Sequence, residues 1–167
     1  MIQHLVLLIF PVTMAFAAAN DLFTMRIPNK LSLVLIAGFI AAALAAHLPL
    51  ETIGMHFAVA AAVLAVTFAL FSFNLFGGGD AKLMAVGALW MGVDQVLPFI
   101  AAVTVLGGVL SLMFLFYRKF IPVDAVANVA WAQRLHMQGK GIPYGIAIAA
   151  AGLLVYPETE IFKLLAT

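Results

Sequence analysis

The sequence predicts an all-α, polytopic membrane protein of about six transmembrane helices, with both termini outside. Three observations carry that prediction. First, 66% of the residues are hydrophobic and only 9% are charged, whereas an ordinary soluble domain carries roughly a quarter charged residues. Second, apolar stretches of near-spanning length recur along the chain between clear breaks. Third, Lys and Arg fall almost entirely in alternate loops. A water-soluble chain of 167 residues has no interior large enough to hide this much apolar surface. The lipid bilayer must cover it.

The spans fall at about 3–20, 29–47, 55–73, 82–93, 97–117 and 142–157, against the roughly 20 residues a helical crossing needs. Ala17-Ala18-Ala19 looks like a signal-peptidase site, but no Lys or Arg precedes the apolar run, and a signal peptide wants a positive n-region. The run therefore reads as a retained first span. Pro28 stands where span two begins, a position that tolerates proline. His47-Leu48-Pro49-Leu50-Glu51 separates spans two and three, and Gly77-Gly78-Gly79 separates three and four. Asp94-Gln95 separates four and five, and Arg118-Lys119 closes span five. The fourth span is short, and extends to include Asp80 if its start is drawn earlier. Length suggests a single domain over residues 1–167.

With six spans, the loops after the first, third and fifth lie on one side. They and the adjoining span ends hold Arg26, Lys30, Lys82, Arg118, Lys119, Arg134 and Lys140, and the other side holds only Lys163. Basic residues near span ends mark the cytoplasmic face. Asp21 and Asp80 then both lie at the cytoplasmic edge. The span boundaries came from hydrophobicity alone, so the charge asymmetry supports them independently.

Segment 122–139 is too polar to span. Val123, Ala127, Trp131 and Leu135 recur at four-residue spacing, a helical stripe. With its Trp, the segment reads as a helix lying in the cytoplasmic interface, or as a tethered connecting loop; a substrate-docking role is a further alternative. Ala41, Ala42, Ala45, Ala46, Gly107 and Gly108 are small residues of the kind that let helices approach closely in lipid. No internal duplication of the transporter kind is visible.

Several function classes are excluded. The chain has no cysteine, so disulfides, zinc ribbons and thiol nucleophiles are absent together. A net charge of +1 without a basic tail gives no footprint for nucleic acid. His4, His47, His56 and His136 are scattered and form no ligand cluster, so no catalytic metal and no cofactor is expected.

Of the acidic residues, Glu51, Asp94, Glu158 and Glu160 fall in or near the outer loops as solvated surface, and Asp124 belongs to the interfacial segment. Asp21 and Asp80 differ. Asp21 follows the apolar run of span one directly, and Asp80 stands between a glycine run and span four. An ionised carboxylate at the edge of hydrocarbon is costly and is retained for a partner or a function. One reading is ion pairing, of Asp21 with Arg26 and of Asp80 with Lys82 or Lys30. The other is an acid–base pair. In a peptide-hydrolysing dyad one carboxylate takes a proton from water while the other, protonated, polarises the scissile carbonyl. Two carboxylates about 3 Å apart share one proton, and such a pair titrates as a unit. Gly77, Gly78 and Gly79 present no side chains that would block approach to Asp80.

These residues resemble the type IV prepilin peptidases, of the GxGD class of membrane aspartyl proteases. Gly77-Gly78-Gly79-Asp80 fits the G-x-G-D pattern, and Ala81-Lys82-Leu83-Met84 continues it. Asp21-Leu22-Phe23-Thr24-Met25-Arg26-Ile27-Pro28-Asn29 is similar to the stretch that follows the first aspartate of the family. Ile142-Pro143-Tyr144-Gly145 resembles the start of its last span. The resemblance covers nearly the whole chain in order. It implies Asp21 and Asp80 as catalytic residues, with Gly77, Gly78, Gly79, Lys82 and Arg26 in supporting positions. It also implies a prepilin or pseudopilin substrate, whose positively charged leader is removed at the cytoplasmic face of a bacterial inner membrane. Longer family members carry a cytoplasmic Cys-x-x-Cys segment and also methylate the new N-terminus. This chain resembles the short, peptidase-only members that serve Flp/Tad-type pili, and methyltransferase activity is expected to be absent. The competing functions are a small proton-coupled transporter, a non-enzymatic pilus or secretion assembly factor, and a GxGD protease cutting within lipid. The last kind is much longer, with its first aspartate in mid-span.

Overall fold

The computed structural model describes residues 2–126, 128–136 and 141–166, and every regular element among them is helical. The elements are α1 (Ile2–Thr24), α2 (Asn29–Ala45), α3 (Leu50–Ser72), α4 (Gly78–Phe120), α5 (Ala130–His136), α6 (Gly145–Val155) and α7 (Glu160–Ala166). Short 3-10 turns lie at Val123–Val126 and Tyr156–Glu158. Leu5–Thr24, Leu50–Ser72 and Gly78–Phe120 are long and apolar enough to cross a membrane. Gly145–Glu158 with Glu160–Ala166, bent by 56°, makes a fourth candidate, and Asn29–Ala45 is apolar but shorter.

The centre of the bundle is the first part of α4. From Leu83 to Gly92 every residue is buried, so this stretch is surrounded on all sides, as a helix apolar all round should be. It packs against α3, α6 and α2, while α1 packs against α6 and α2. Trp90 is fully buried among Phe10, Phe39 and Tyr156, with ring centroids 5.2, 6.0 and 5.9 Å away. Its indole Nε1 donates to the Leu35 carbonyl at 3.0 Å. That bond satisfies the one polar atom of a ring placed where water is absent.

α4 is not straight. Gly92 has φ 67° and ψ −169°, a conformation essentially restricted to glycine. A straight helix would hold Asp80 and Ser111 about 46 Å apart at 1.5 Å per residue. Instead both line one cavity, and the Phe99 ring lies against Gly87. The chain therefore reverses at Gly92 into two limbs packed side by side. The break expected at Asp94-Gln95 occurs earlier, and the chain is helical through both of those residues. The reason is conformational: Gly92 can adopt the required positive φ, and Asp94 and Gln95 cannot without strain.

Two polar side chains compensate for interrupted helices. Pro11 lies inside α1 and has no N–H for the carbonyl four residues earlier. That carbonyl, of Leu7, accepts the Tyr156 hydroxyl at 3.1 Å. Beside the Gly92 break, the Leu89 carbonyl lies 2.7 Å from Nδ1 of buried His56, which donates to it.

Other boundaries also shift. Gly77 is the N-cap of α4, so Gly78, Gly79 and Asp80 form its first turn rather than a separating loop. The four-residue stripe through 122–139 is divided between a 3-10 turn and the seven-residue α5, in which Ala132 and Leu135 are buried and Trp131 stays exposed. Within α5 the inward pair is therefore Ala132 and Leu135, at a spacing of three, rather than Trp131 and Leu135 at four. Ala127 and Lys140 lie outside the described residues. The sequence reading did not anticipate α7, whose Ile161 and Leu165 are buried.

Candidate functional site

Asp21 lies in the last turn of α1. Beyond it Met25 takes φ 55°, and Ile27 precedes a proline, which disfavours further helix. The turn that follows is folded back on the helix: Asn20 Nδ2 donates to the Arg26 carbonyl at 2.6 Å, and Thr24 Oγ1 donates to the Asn20 carbonyl at 2.7 Å. Pro28 then caps α2. The Asp21 side chain is only 5% exposed. Its Oδ2 accepts a hydrogen bond from the Gly145 backbone N–H at 2.8 Å, at the start of α6.

Asp80 is the third residue of α4. Carboxylates favour the first turn of a helix, where backbone N–H groups carry partial positive charge. Asp80 is half-buried and makes no hydrogen bond with the described residues. A Cβ on Gly77 would run into Asp80 Oδ2, so the absence of a side chain there gives the carboxylate its place.

One cavity of about 580 Å³ is lined by Asp21, Met25, Arg26, Ile27, Pro28, Asn29, Gly77, Gly78, Gly79 and Asp80. The fold thus brings together two stretches far apart in sequence, each contributing one aspartate. A second cavity, of about 660 Å³, adjoins it: Gly77 and Asp80 line both, and Asn74, Leu75, Phe76, Ser111, Arg118, Gly141, Ile142 and Tyr144 complete its wall. The Tyr144 ring stands edge-on to Phe76 at 5.7 Å, and its hydroxyl rests on Gly107.

Of the residues singled out in the sequence, Asp21, Asp80, Gly77, Gly78, Gly79 and Arg26 share the first cavity, and Lys82 does not. Lys82 Nζ donates instead to Asn29 Oδ1 at 3.0 Å, tying the start of α4 to the start of α2. Arg26 is exposed at the cavity wall. No ion pair joins Asp21 or Asp80 to Arg26, Lys30 or Lys82; among the described residues Lys163 pairs with Glu158 at 2.9 Å. The ion-pair reading of the two aspartates is not realised. No group of three or more His, Asp or Glu side chains comes together as a metal site among the described residues.

Sequence reasoning missed the partner of Asp21. The Ile142-Pro143-Tyr144-Gly145 stretch stood out only as the start of a span. Its contribution is a backbone N–H, which no residue type advertises.

These elements define a multi-helix membrane protein with two acidic side chains opening on a shared cavity at one end of the bundle. The model of the type IV leader peptidase family matches residues 8–112, more than half of the chain and both aspartates, and the chain belongs to that family. No curated protein and no solved structure matches it.

Proposed function

We propose that this chain is an aspartic endopeptidase of the bacterial inner membrane that removes the leader peptide of prepilins or pseudopilins, with Asp21 and Asp80 as its catalytic pair. The observation that supports this most directly is that both carboxylates line the same cavity together with the three-glycine run. In the proposed mechanism one carboxylate takes a proton from the attacking water. The other, protonated, polarises the scissile carbonyl. The roles belong to the pair and are not divided between the two residues. The Gly145 N–H holds one oxygen of Asp21 in a fixed place. The side-chain-free stretch at Gly77–Gly79 leaves room for an extended substrate strand beside Asp80.

The reading includes six crossings, with α2, the two limbs of α4 and α6 each traversing the bilayer in alternation with α1 and α3. The fold-back at Gly92 supports that count. The basic residues cluster at the cavity end of the helices, which favours a cytoplasmic site. The substrate is proposed to be of the Flp/Tad class, cut without subsequent N-methylation, on the resemblance of the Asp21 and Gly77–Asp80 motifs to the peptidase-only members. One domain spans residues 1–167 in this reading.

The test is co-expression with a candidate Flp-type prepilin, following leader removal on a gel and the N-terminal mass of the product. Wild type should release the leader and leave an unmethylated N-terminus. Asp21→Asn and Asp80→Asn keep side-chain size and remove the titration, and each should abolish processing. Normal processing by either variant would sink the dyad. Transport of protons or solutes by vesicles holding the wild type, without processing of any prepilin, would favour the transporter reading instead.

A further inference from the structure

We propose that Arg134 is a positioning residue for Asp21, acting through the last turn of α1. The inference rests on the reading of Asp21 and Asp80 as the catalytic pair. The final carbonyls of a helix lack partners within it. At the end of α1 the Asp21 carbonyl is taken by the Met25 N–H at 2.8 Å, and the Asn20 carbonyl by Thr24 Oγ1. The Phe23 carbonyl is taken from outside the helix, by Arg134 Nη1 at 2.9 Å, 111 positions away. The Trp131 ring meets the Phe23 ring edge-on, with centroids 5.8 Å apart.

α5 is itself anchored at the far end of α4. Tyr117 Oη donates to the Ala132 carbonyl at 3.2 Å and Arg118 Nε to the Leu135 carbonyl at 2.8 Å. Ala132 and Leu135 are buried beneath it. This seven-residue helix therefore braces the end of α1, which carries Asp21, against the far end of α4, whose first turn carries Asp80. A guanidinium at a helix C-terminus also complements the negative end of the dipole. Phe23 is half-exposed, so water can replace Arg134 at its carbonyl with little effect on folding. What water cannot replace is the fixed position. Asp21 lies two residues before Phe23, within the same turn, and moves with it.

The experiment measures leader cleavage of a prepilin by the full chain in detergent micelles, for wild type and for Arg134→Ala, Arg134→Gln and Arg134→Lys. A displacement near 1 Å in an active site can lower turnover by about a hundredfold. Arg134→Ala should lower kcat by about tenfold to a hundredfold with KM changed by less than about threefold, the pattern of a misplaced catalytic group. Arg134→Lys, which keeps a charged donor, should recover most of the loss. The melting temperatures should coincide. Wild-type kcat in Arg134→Ala overturns the brace, and so does a loss confined to KM. Should Arg134→Ala fail to accumulate, Arg134→Gln is judged by the same two criteria. If Asp21→Asn and Asp80→Asn are inactive while Arg134→Ala is fully active, only the brace falls. If Asp21→Asn cleaves as wild type does, the dyad falls and the brace with it.

Discussion

The Gly145 N–H and the Asp21 carboxylate are joined by a 2.8 Å hydrogen bond between residues 124 positions apart. It fastens the end of the first helix to the start of the sixth, at the wall of the cavity that also holds Asp80. A Cβ on Gly145 would lie 2.8 Å from Asp21 Oδ2 and 3.0 Å from Ile27 Cδ1. The approach to Asp21 Oδ2 is closer than real contacts allow and that to Ile27 is tight, so any side chain here must displace the Asp21 carboxylate. Gly145→Ala is expected to lower leader cleavage by at least about tenfold and to cost about 1–3 kcal/mol of stability through overpacking. Full cleavage in a stable Gly145→Ala protein would show that Asp21 need not hold this position.

If the two aspartates act as one unit, their losses will not add. Asp21→Asn, Asp80→Asn and the double variant should show the same residual rate, as groups that work together do. A double variant markedly slower than either single variant would mean that the carboxylates contribute independently.

The glycines of the run are not equivalent. Alanine at Gly77 meets the Asp80 carboxylate itself, whereas alanine at Gly78 meets the Phe71 ring at 3.2 Å, the end of a side chain that can turn away. Gly77→Ala should therefore depress cleavage much more than Gly78→Ala, with the difference in kcat. Equal losses at the two positions would count against a special role for the space beside Asp80.

Tyr156 and Pro11 make a paired prediction about stability. The Tyr156 hydroxyl occupies the Leu7 carbonyl that Pro11 leaves without an N–H. Tyr156→Phe should destabilise the protein by about 1–3 kcal/mol, the cost of an unsatisfied buried acceptor. In a Pro11→Ala background an N–H is available within the helix, and the same substitution should cost clearly less. Thermal unfolding of the four proteins in one detergent measures the coupling, and an unchanged cost in both backgrounds would refute it.

Lys82 is expected to contribute little beyond its tie to Asn29. The pair is exposed, and exposed contacts of this kind are typically worth under about 1 kcal/mol. Lys82→Ala, Asn29→Ala and the double variant should lose similar small amounts of stability. A large fall in kcat for Lys82→Ala alone would restore the supporting role beside the two aspartates that the family resemblance implied.

Composition and hydropathy by themselves determined that the chain is helical and lives in a bilayer, because no folded interior of this size could bury so much apolar surface. The residues around Asp21 and Asp80 were also legible, since a carboxylate at the edge of hydrocarbon is expensive and stands out wherever it occurs. Tertiary structure decided what a linear reading cannot hold. The reversal of α4 depends on one backbone conformation at Gly92, which Asp94 and Gln95 next to it could not reproduce. The partner of Asp21 is a main-chain N–H, identical in chemistry at almost every position and distinguished only by where α6 begins. Lys82 could as well have faced Asp80 as Asn29, and the packing of α2 against α4 made the choice. Burial and membership of the bilayer sum over many residues and survive in composition, whereas single hydrogen bonds across the bundle depend on positions that only the packed helices define.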